Sequence, residues 1–225
     1  MRGRPRRGRD RDRGRGMSAF ENRLKESLAR YAPGRVKYVK GWRKRNTGRW
    51  RGKRRVPVMV IEHHTAGAAT SSTNPKHKGN QPGANNGVVN YCIARHNSVP
   101  YCNAVVDRDG TIWILSGGPV WHAGRGDFSG TRWERWGIPR NAANSWTFGV
   151  EVISKGRKRD FTRQQKIAVR RLNCALREAS CWPGFKYRIA NHKDWTSRKI
   201  DSKYRWQWYR RGSARAWARL RSVRT

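Results

Sequence analysis

The stretch VPVMVIEHHTAG, at residues 56–67, is the part of the chain that decides its fold. Its first six residues form a short, continuous apolar run, which predicts a strand buried within a sheet. The run passes directly into Glu62, His63 and His64, so polar side chains follow where the strand is expected to end. Since side chains alternate along a strand, His63 and His64 face opposite sides, and alternation alone leaves open which one faces a site.

Other patterns place further elements around this strand. Residues 103–107 and 111–115 flank Asp109-Gly110, a combination that is typical of a β-hairpin. Residues 147–153 alternate in the manner of another strand, and 162–180 combine a capping box with an apolar stripe, which predicts a helix. We therefore predict an α/β domain with a single mixed central β-sheet flanked by helices and with basic extensions at both ends.

Positive charge is concentrated outside this domain. The chain of 225 residues has a net charge of +38, and residues 203–225 carry eight basic residues and no acidic one. We divide it into a disordered Arg/Gly-rich extension (1–16), a short helix plus basic segment (17–55), a core domain (56–202) and a basic, aromatic C-terminal segment (203–225). Such flanks suit polyanions: nucleic acid, anionic wall polymers or a membrane surface. The C-terminal aromatics could equally pack on the core in a terminal helix.

The sequence also argues against several classes of protein. No stretch approaches the roughly 18–20 apolar residues that span a membrane. The N-terminal arginines are followed by no apolar segment, so we expect no secretory signal and synthesis in the host cytoplasm. The four cysteines form no C-x-x-C pair, and we expect reduced thiols.

Histidines supply the first indication of chemistry. His63 or His64, His122 and His192 each lie where a strand ends or a turn begins, and zinc sites favour His and carboxylate ligands. Taken singly, each is more often a structural or surface residue. From the residues alone, His122 is as good a ligand candidate as His192.

The order of the motifs carries more information than any one of them. The motifs are HHTAG (63–67), CNAVVDRDGT (102–111), WHAG (121–124), GVE (149–151), and His192 followed by RKID (198–201). In this order they resemble the type 2 N-acetylmuramoyl-L-alanine amidase and peptidoglycan-recognition family, especially endolysins of actinobacterial phages. The resemblance covers about residues 56–202, which would then be a zinc amidase domain.

The resemblance implies a role for each matching residue. It implies zinc (Zn2+) as the cofactor, with His63, His192 and Asp201 as its ligands and an open position for water. It makes Glu151 the catalytic acid/base and Lys199 the residue that stabilises the oxyanion. It places substrate contacts at His64, Asn103, Trp121 and His122.

Some positions depart from the family pattern. Residues 196–199 read TSRK where the family often has PGRK, in a loop that is one residue shorter, and Ser202 replaces a usual proline. Cys102 aligns where some members have a catalytic tyrosine, so we assign no catalytic role to Tyr101. The shorter loop makes the alignment of Lys199 the weakest of the catalytic assignments.

The resemblance implies a monomeric enzyme that hydrolyses peptidoglycan, released as a phage or prophage endolysin to act on the bacterial cell wall. Two other classes compete with it. A non-catalytic peptidoglycan-binding module would lack a ligand, and none is missing here. A nucleic-acid-binding protein would explain the charge but not the ordered motifs, so we expect nucleic acid to bind only non-specifically, at low salt.

Overall fold

A six-stranded sheet forms the centre of the protein. The computed structural model describes residues 19–65, 87–93, 99–154, 160–201 and 206–222. The strands are β1 (Val36–Tyr38), β2 (Met59–His64), β3 (Ala104–Val106), β4 (Ile112–Ile114), β5 (Thr147–Val152) and β6 (Ile189–Asn191). Their order in the sheet is β1-β4-β3-β5-β2-β6, and only β3 and β4 pair antiparallel. The predicted mixed sheet is confirmed.

The local signals of the sequence mark most of these strands. The predicted hairpin is β3–β4, with Gly110 at a positive φ of 85° that suits glycine in the turn. The strand predicted from Val56 begins instead at Met59, because Pro57 has no N–H to give to a sheet. The edge strands β1 and β6 were not predicted, since each has only three residues.

Five α-helices accompany the sheet: α1 (Ala19–Tyr31), α2 (Gly87–Ile93), α3 (Arg163–Ala179), α4 (His192–Trp195) and α5 (Trp206–Ser222). The capping box predicted for α3 is present, with Thr162 accepting a hydrogen bond from the backbone N–H of Gln165. Helices α1, α3 and α5 pack together on one face of the sheet, which we call the helix face.

Helix α5 uses its aromatic side chains for packing on this face. Tyr209 is fully buried, and the Trp217 ring stacks on Tyr31 with 5.4 Å between centroids. The guanidinium of Arg170, on α3, lies 5.0 Å from the centroid of the Trp208 ring. Of the two readings of the C-terminal segment, the structure therefore has the terminal helix that packs on the core.

Loops and the short helix α4 cover the opposite face, which we call the loop face. Met59 and Ile61 of β2 pack there against Phe128, Trp133 and Trp195. The Trp195 indole N–H donates to the carbonyl of Gly124 at 3.2 Å, so α4 is tied to the covering loop. This face carries the polar groups discussed below.

Some predictions fall on residues outside this description. The Arg/Gly-rich extension at 1–16 and most of the polar loop predicted at 68–87 lie outside the described residues. The four cysteine thiols are free, as predicted for reduced cysteines. None of the described helices combines the length and the hydropathy that a bilayer crossing demands.

Candidate metal centre

Three parallel strands bring their carboxyl ends to one edge of the sheet. His63 pairs in register with Glu151 between β2 and β5, and Glu62 pairs with Asn191, the residue before His192, between β2 and β6. In sheets of this kind, ligands bind outside the carboxyl ends of the strands. Laterally paired residues of parallel strands share a face, so His63 and Glu151 both belong to the loop face.

Three side-chain donors converge at this edge. The Nδ1 atoms of His63 and His192 lie 2.9 Å apart, and Asp201 Oδ2 lies 3.4 Å from the first and 3.2 Å from the second. A tetrahedral zinc ion with bonds of about 2.0–2.1 Å would separate its donors by about 3.3 Å. The three donors therefore fit a zinc ion in their type, number and spacing, and among the described residues they form a group able to hold a metal.

The electrostatics of this group favour a cation. Burial lowers the pKa of His63 to about 4, so its ring is neutral near pH 7 and keeps a lone pair for a metal. Burial alone would raise the pKa of Asp201, but hydrogen bonds with His192 and His63 outweigh it and hold that pKa well below its usual range. The cluster thus presents a carboxylate beside a neutral ring.

Glu151 stands next to the cluster on the loop face. Its Oε2 is buried and has no hydrogen-bond partner in the protein. Burial raises the pKa of Glu151 to about 8, the negative charge of Asp201 raises it further, and the positive charge of Lys199 opposes both. Lys199 is exposed, in the chain just before Asp201. An acidic group and a cation therefore flank the three donors.

The other predicted site residues occupy different surroundings. Trp121 is 49% exposed at the surface, where a substrate can reach it. His64 pairs with Val152 and shares the helix face with it, away from His63. Asn103 has no exposed surface, and its amide binds the backbone of Gly149 and Gly118. The structure thus differs from the predicted substrate contacts at His64 and Asn103.

His122 also lies deeper than predicted. Its ring is packed between His63 and β5, with Nδ1 3.2 Å from His63 Nε2 and Nε2 2.9 Å from the carbonyl oxygen of Thr147. Burial lowers the pKa of His122 well below its usual range, and the neighbouring His63 lowers it further. The ring is therefore neutral. Sequence reasoning missed Thr147, because no local pattern links it to residue 122.

Two histidines and one carboxylate at the carboxyl edge of a mostly parallel sheet define the class of protein: an α/β fold that carries a candidate hydrolytic metal centre. Comparison with known families gives the particular one. The sequence profile of the N-acetylmuramoyl-L-alanine amidase family, Amidase_2, matches residues 53–203, and the chain belongs to that family. A search of curated proteins found no match.

Solved structures agree on the fold. The selenomethionine derivative of AmpD superposes with a TM-score of 0.50 at 16% identity, covering 81% of this chain and 97% of that one. The Ph2119 endolysin from the Thermus scotoductus MAT2119 bacteriophage gives 0.47 at 16% identity, with 80% and 99% covered. Wild-type Drosophila PGRP-LB gives 0.42 at 15% identity, with 71% and 82% covered.

Proposed function

We propose that the protein is a zinc-dependent hydrolase that cleaves the amide bond between N-acetylmuramic acid and L-alanine of peptidoglycan. His63, His192 and Asp201 would hold the zinc ion. The observation that carries the proposal is the convergence of their three donor atoms, 2.9–3.4 Å apart, beside Glu151. Membership of the amidase family supports the same reaction.

The chain supplies groups for both proton transfers of amide hydrolysis. Glu151 would take the proton of the attacking water and deliver it to the L-alanine nitrogen as the amide breaks. A pKa of about 8 leaves the carboxyl mostly protonated near pH 7, as the second transfer requires, and a nearby cation favours the ionised form that the first requires. Lys199 would stabilise the negative oxygen that develops on the lactyl carbonyl.

A bound zinc ion would supply Lewis acidity and lower the pKa of a water molecule from 15.7 to about 7. The exposed Trp121 indole would contact the substrate at the surface. The shorter loop before Asp201 leaves the reach of Lys199 as the least supported of these roles.

The test is the release of soluble stem peptides from purified peptidoglycan. New L-alanine amino termini are expected, and they should vanish when a chelator removes zinc, when His192 is replaced by alanine, and when Glu151 is replaced by alanine. Lys193→Ala is the matched control, because Lys193 is the exposed neighbour of His192. Sacculi that are bound but yield no amino termini under any condition would identify a recognition module instead.

The motif resemblance to phage endolysins further supports a biological setting in a phage or prophage lytic programme. An endolysin should lyse its host when it is produced in the cytoplasm together with an agent that opens the membrane. Intact cells after such treatment, with active enzyme recovered from them, would contradict this setting.

We also propose that α5 holds the enzyme on anionic wall polymers. Arg211, Arg215 and Arg219 are exposed and follow one another at intervals of four residues, so they form one ridge along the helix. Burial lowers the pKa of the adjacent Arg170, and the positive charges of Arg215 and Arg219 lower it further, which indicates crowded, uncompensated charge. A polymer with repeated phosphates would relieve this repulsion.

The buried aromatic side chains of α5 favour a polymer over a membrane, since Tyr209 and Trp217 are engaged in packing on the helix face. Replacing the three ridge arginines with glutamine should weaken binding to polymer-bearing walls. The slope of log affinity against log salt concentration should become shallower by roughly one for each phosphate that the variant no longer neutralises.

A matched control makes the same change of charge elsewhere, at the exposed residues Lys40, Lys44 and Arg49. An equal loss in both triple variants would show that net charge, and not the ridge, governs binding. Binding to anionic vesicles but not to walls would favour a membrane partner, and equal binding to walls stripped of polymer would contradict the proposal.

A further inference from the structure

Residues 122–123 run behind both histidines of the candidate metal centre. The His122 ring meets Nε2 of His63, and the Ala123 carbonyl meets Nε2 of His192 at 3.0 Å. These are the ring nitrogens that face away from Asp201. One dipeptide of the loop face therefore contacts the far side of both rings.

The chemistry of the partners fixes where the protons lie, beginning at Thr147. A backbone carbonyl only accepts, so His122 Nε2, 2.9 Å from the Thr147 oxygen, must carry a proton. The Thr147 hydroxyl donates to the carbonyl of Ala143 at 2.9 Å, and it can therefore accept from the same His122 nitrogen, 3.1 Å away. The neutral His122 ring then has a bare Nδ1, which can only accept.

The same reasoning extends to both candidate ligands. His63 Nε2 must donate to the bare Nδ1 of His122, which leaves His63 Nδ1 without a proton. His192 Nε2 must donate to the carbonyl of Ala123, and so its Nδ1 is also bare when the ring is neutral. Both lone pairs then point at the position that Asp201 also faces, which is the state a metal requires.

The dipeptide is itself held in place. The backbone N–H groups of His122 and Ala123 both donate to Asn144 Oδ1, at 3.0 and 2.8 Å. Opposite the His122 ring stands Gly149, where a Cβ atom would collide with the ring. Packing and hydrogen bonds thus fix the ring and the carbonyl before any metal arrives.

We infer that the His122 side chain and the Ala123 carbonyl form a positioning element that holds His63 and His192 as Nδ1 ligands. This rests on the proposed zinc site. It replaces substrate contact as the role of His122, which becomes a positioning residue and not a catalytic one.

Zinc affinity, measured by competition with a chromophoric chelator, tests the inference without reference to activity. His122→Phe keeps a ring but removes the acceptor and the donor, and it should weaken zinc binding by about 10–100-fold. His122→Asn keeps an acceptor at the Nδ1 position and should restore part of the loss. Trp121→Ala, the exposed neighbour, is the matched control and should leave zinc affinity unchanged.

A second variant guards against failure of the first to fold. Asn144→Ala leaves every ring in place but removes the anchor of the dipeptide, and it should weaken zinc binding less than His122→Phe does. The nitrogen chemical shifts of the histidines should show His63 protonated at Nε2 in the wild type, and a mixture of its two tautomers in His122→Phe.

The outcomes separate this inference from the proposed function. Unchanged zinc affinity in folded His122→Phe, or wild-type His63 protonated at Nδ1, would overturn it. A wild type that binds no zinc would overturn both proposals. A wild type that binds zinc but releases no L-alanine amino termini would overturn the amidase proposal, while the affinities of the variants would still decide the role of His122.

Discussion

The two faces of the central sheet use the same strands for different purposes. On the helix face, Phe148, Val150 and Val152 of β5 pack against helices in one apolar cluster. On the loop face, the alternate residues of the same strand are Thr147, which binds His122, and Glu151, which flanks the three donors. The alternation of side chains along a strand therefore separates stabilisation from chemistry at intervals of one residue.

The strongest test of this contrast uses adjacent residues of β2. His63→Ala removes a donor on the loop face and should abolish zinc binding. It should also lower kcat/KM by about 4 kcal/mol, which is roughly 1,000-fold. His64→Ala removes a buried ring on the helix face, and it should keep zinc binding but lose about 1–3 kcal/mol of unfolding free energy.

Zinc titration and denaturant unfolding of both variants measure these effects. If His64→Ala lost zinc while His63→Ala kept it, the assignment of the two faces at the end of β2 would be reversed.

A second prediction concerns α5, on the helix face. Tyr209 is fully buried there, so Tyr209→Ala should cost about 3–5 kcal/mol of unfolding free energy, as other large aromatic truncations do. The zinc affinity of the folded protein should not change. Arg211→Ala, at the exposed neighbouring position, serves as control and should stay within about 0.5 kcal/mol of the wild type. A parallel loss of zinc affinity in Tyr209→Ala would show that the two faces are coupled.

The third prediction concerns Glu62, a carboxyl buried on the helix face. Burial raises the pKa of Glu62 from 4.5 to about 8, against the hydrogen bond that it accepts from Asn173 at 3.0 Å. Between these two pH values the folded protein holds a proton that the unfolded chain has lost, so the carboxyl makes stability fall as the pH rises. Glutamine does not titrate, and Glu62→Gln should gain stability relative to the wild type across this window.

The gain should be on the order of 2 kcal/mol at pH 9 and close to zero at pH 4. Urea unfolding at several pH values, with zinc chelated from both proteins, measures it. A difference that does not vary with pH would mean that Glu62 has an ordinary pKa in the folded state.

The sequence predicts those parts of the fold whose signals are local. The Asp109-Gly110 turn and the capping box of Thr162 and Gln165 each lie within a few residues of the element they start, and both are present. The edge strands β1 and β6 carry no such signal, because three residues are too few for a period to be read. Their place depends on partners far along the chain.

The candidate site divides in the same way. The resemblance selects His63, His192 and Asp201, and the structure brings these three side chains together. The position of His122 behind His63 could not be predicted, because it depends on how the covering loop folds over β5. Likewise, the burial of Asn103 follows from backbone groups that become neighbours only in the folded sheet.

The edge strand β6 has a consequence for when the enzyme can first act. His63 and His192 are 129 positions apart, and His192 follows β6 directly. During translation, β2 to β5 can pair as soon as their residues leave the ribosome, and they would already present His63 beside Glu151. The metal-binding set would still be incomplete until residue 201 had emerged and β6 had docked. A nascent chain therefore stays inactive for most of its synthesis, and activity would begin abruptly near the end.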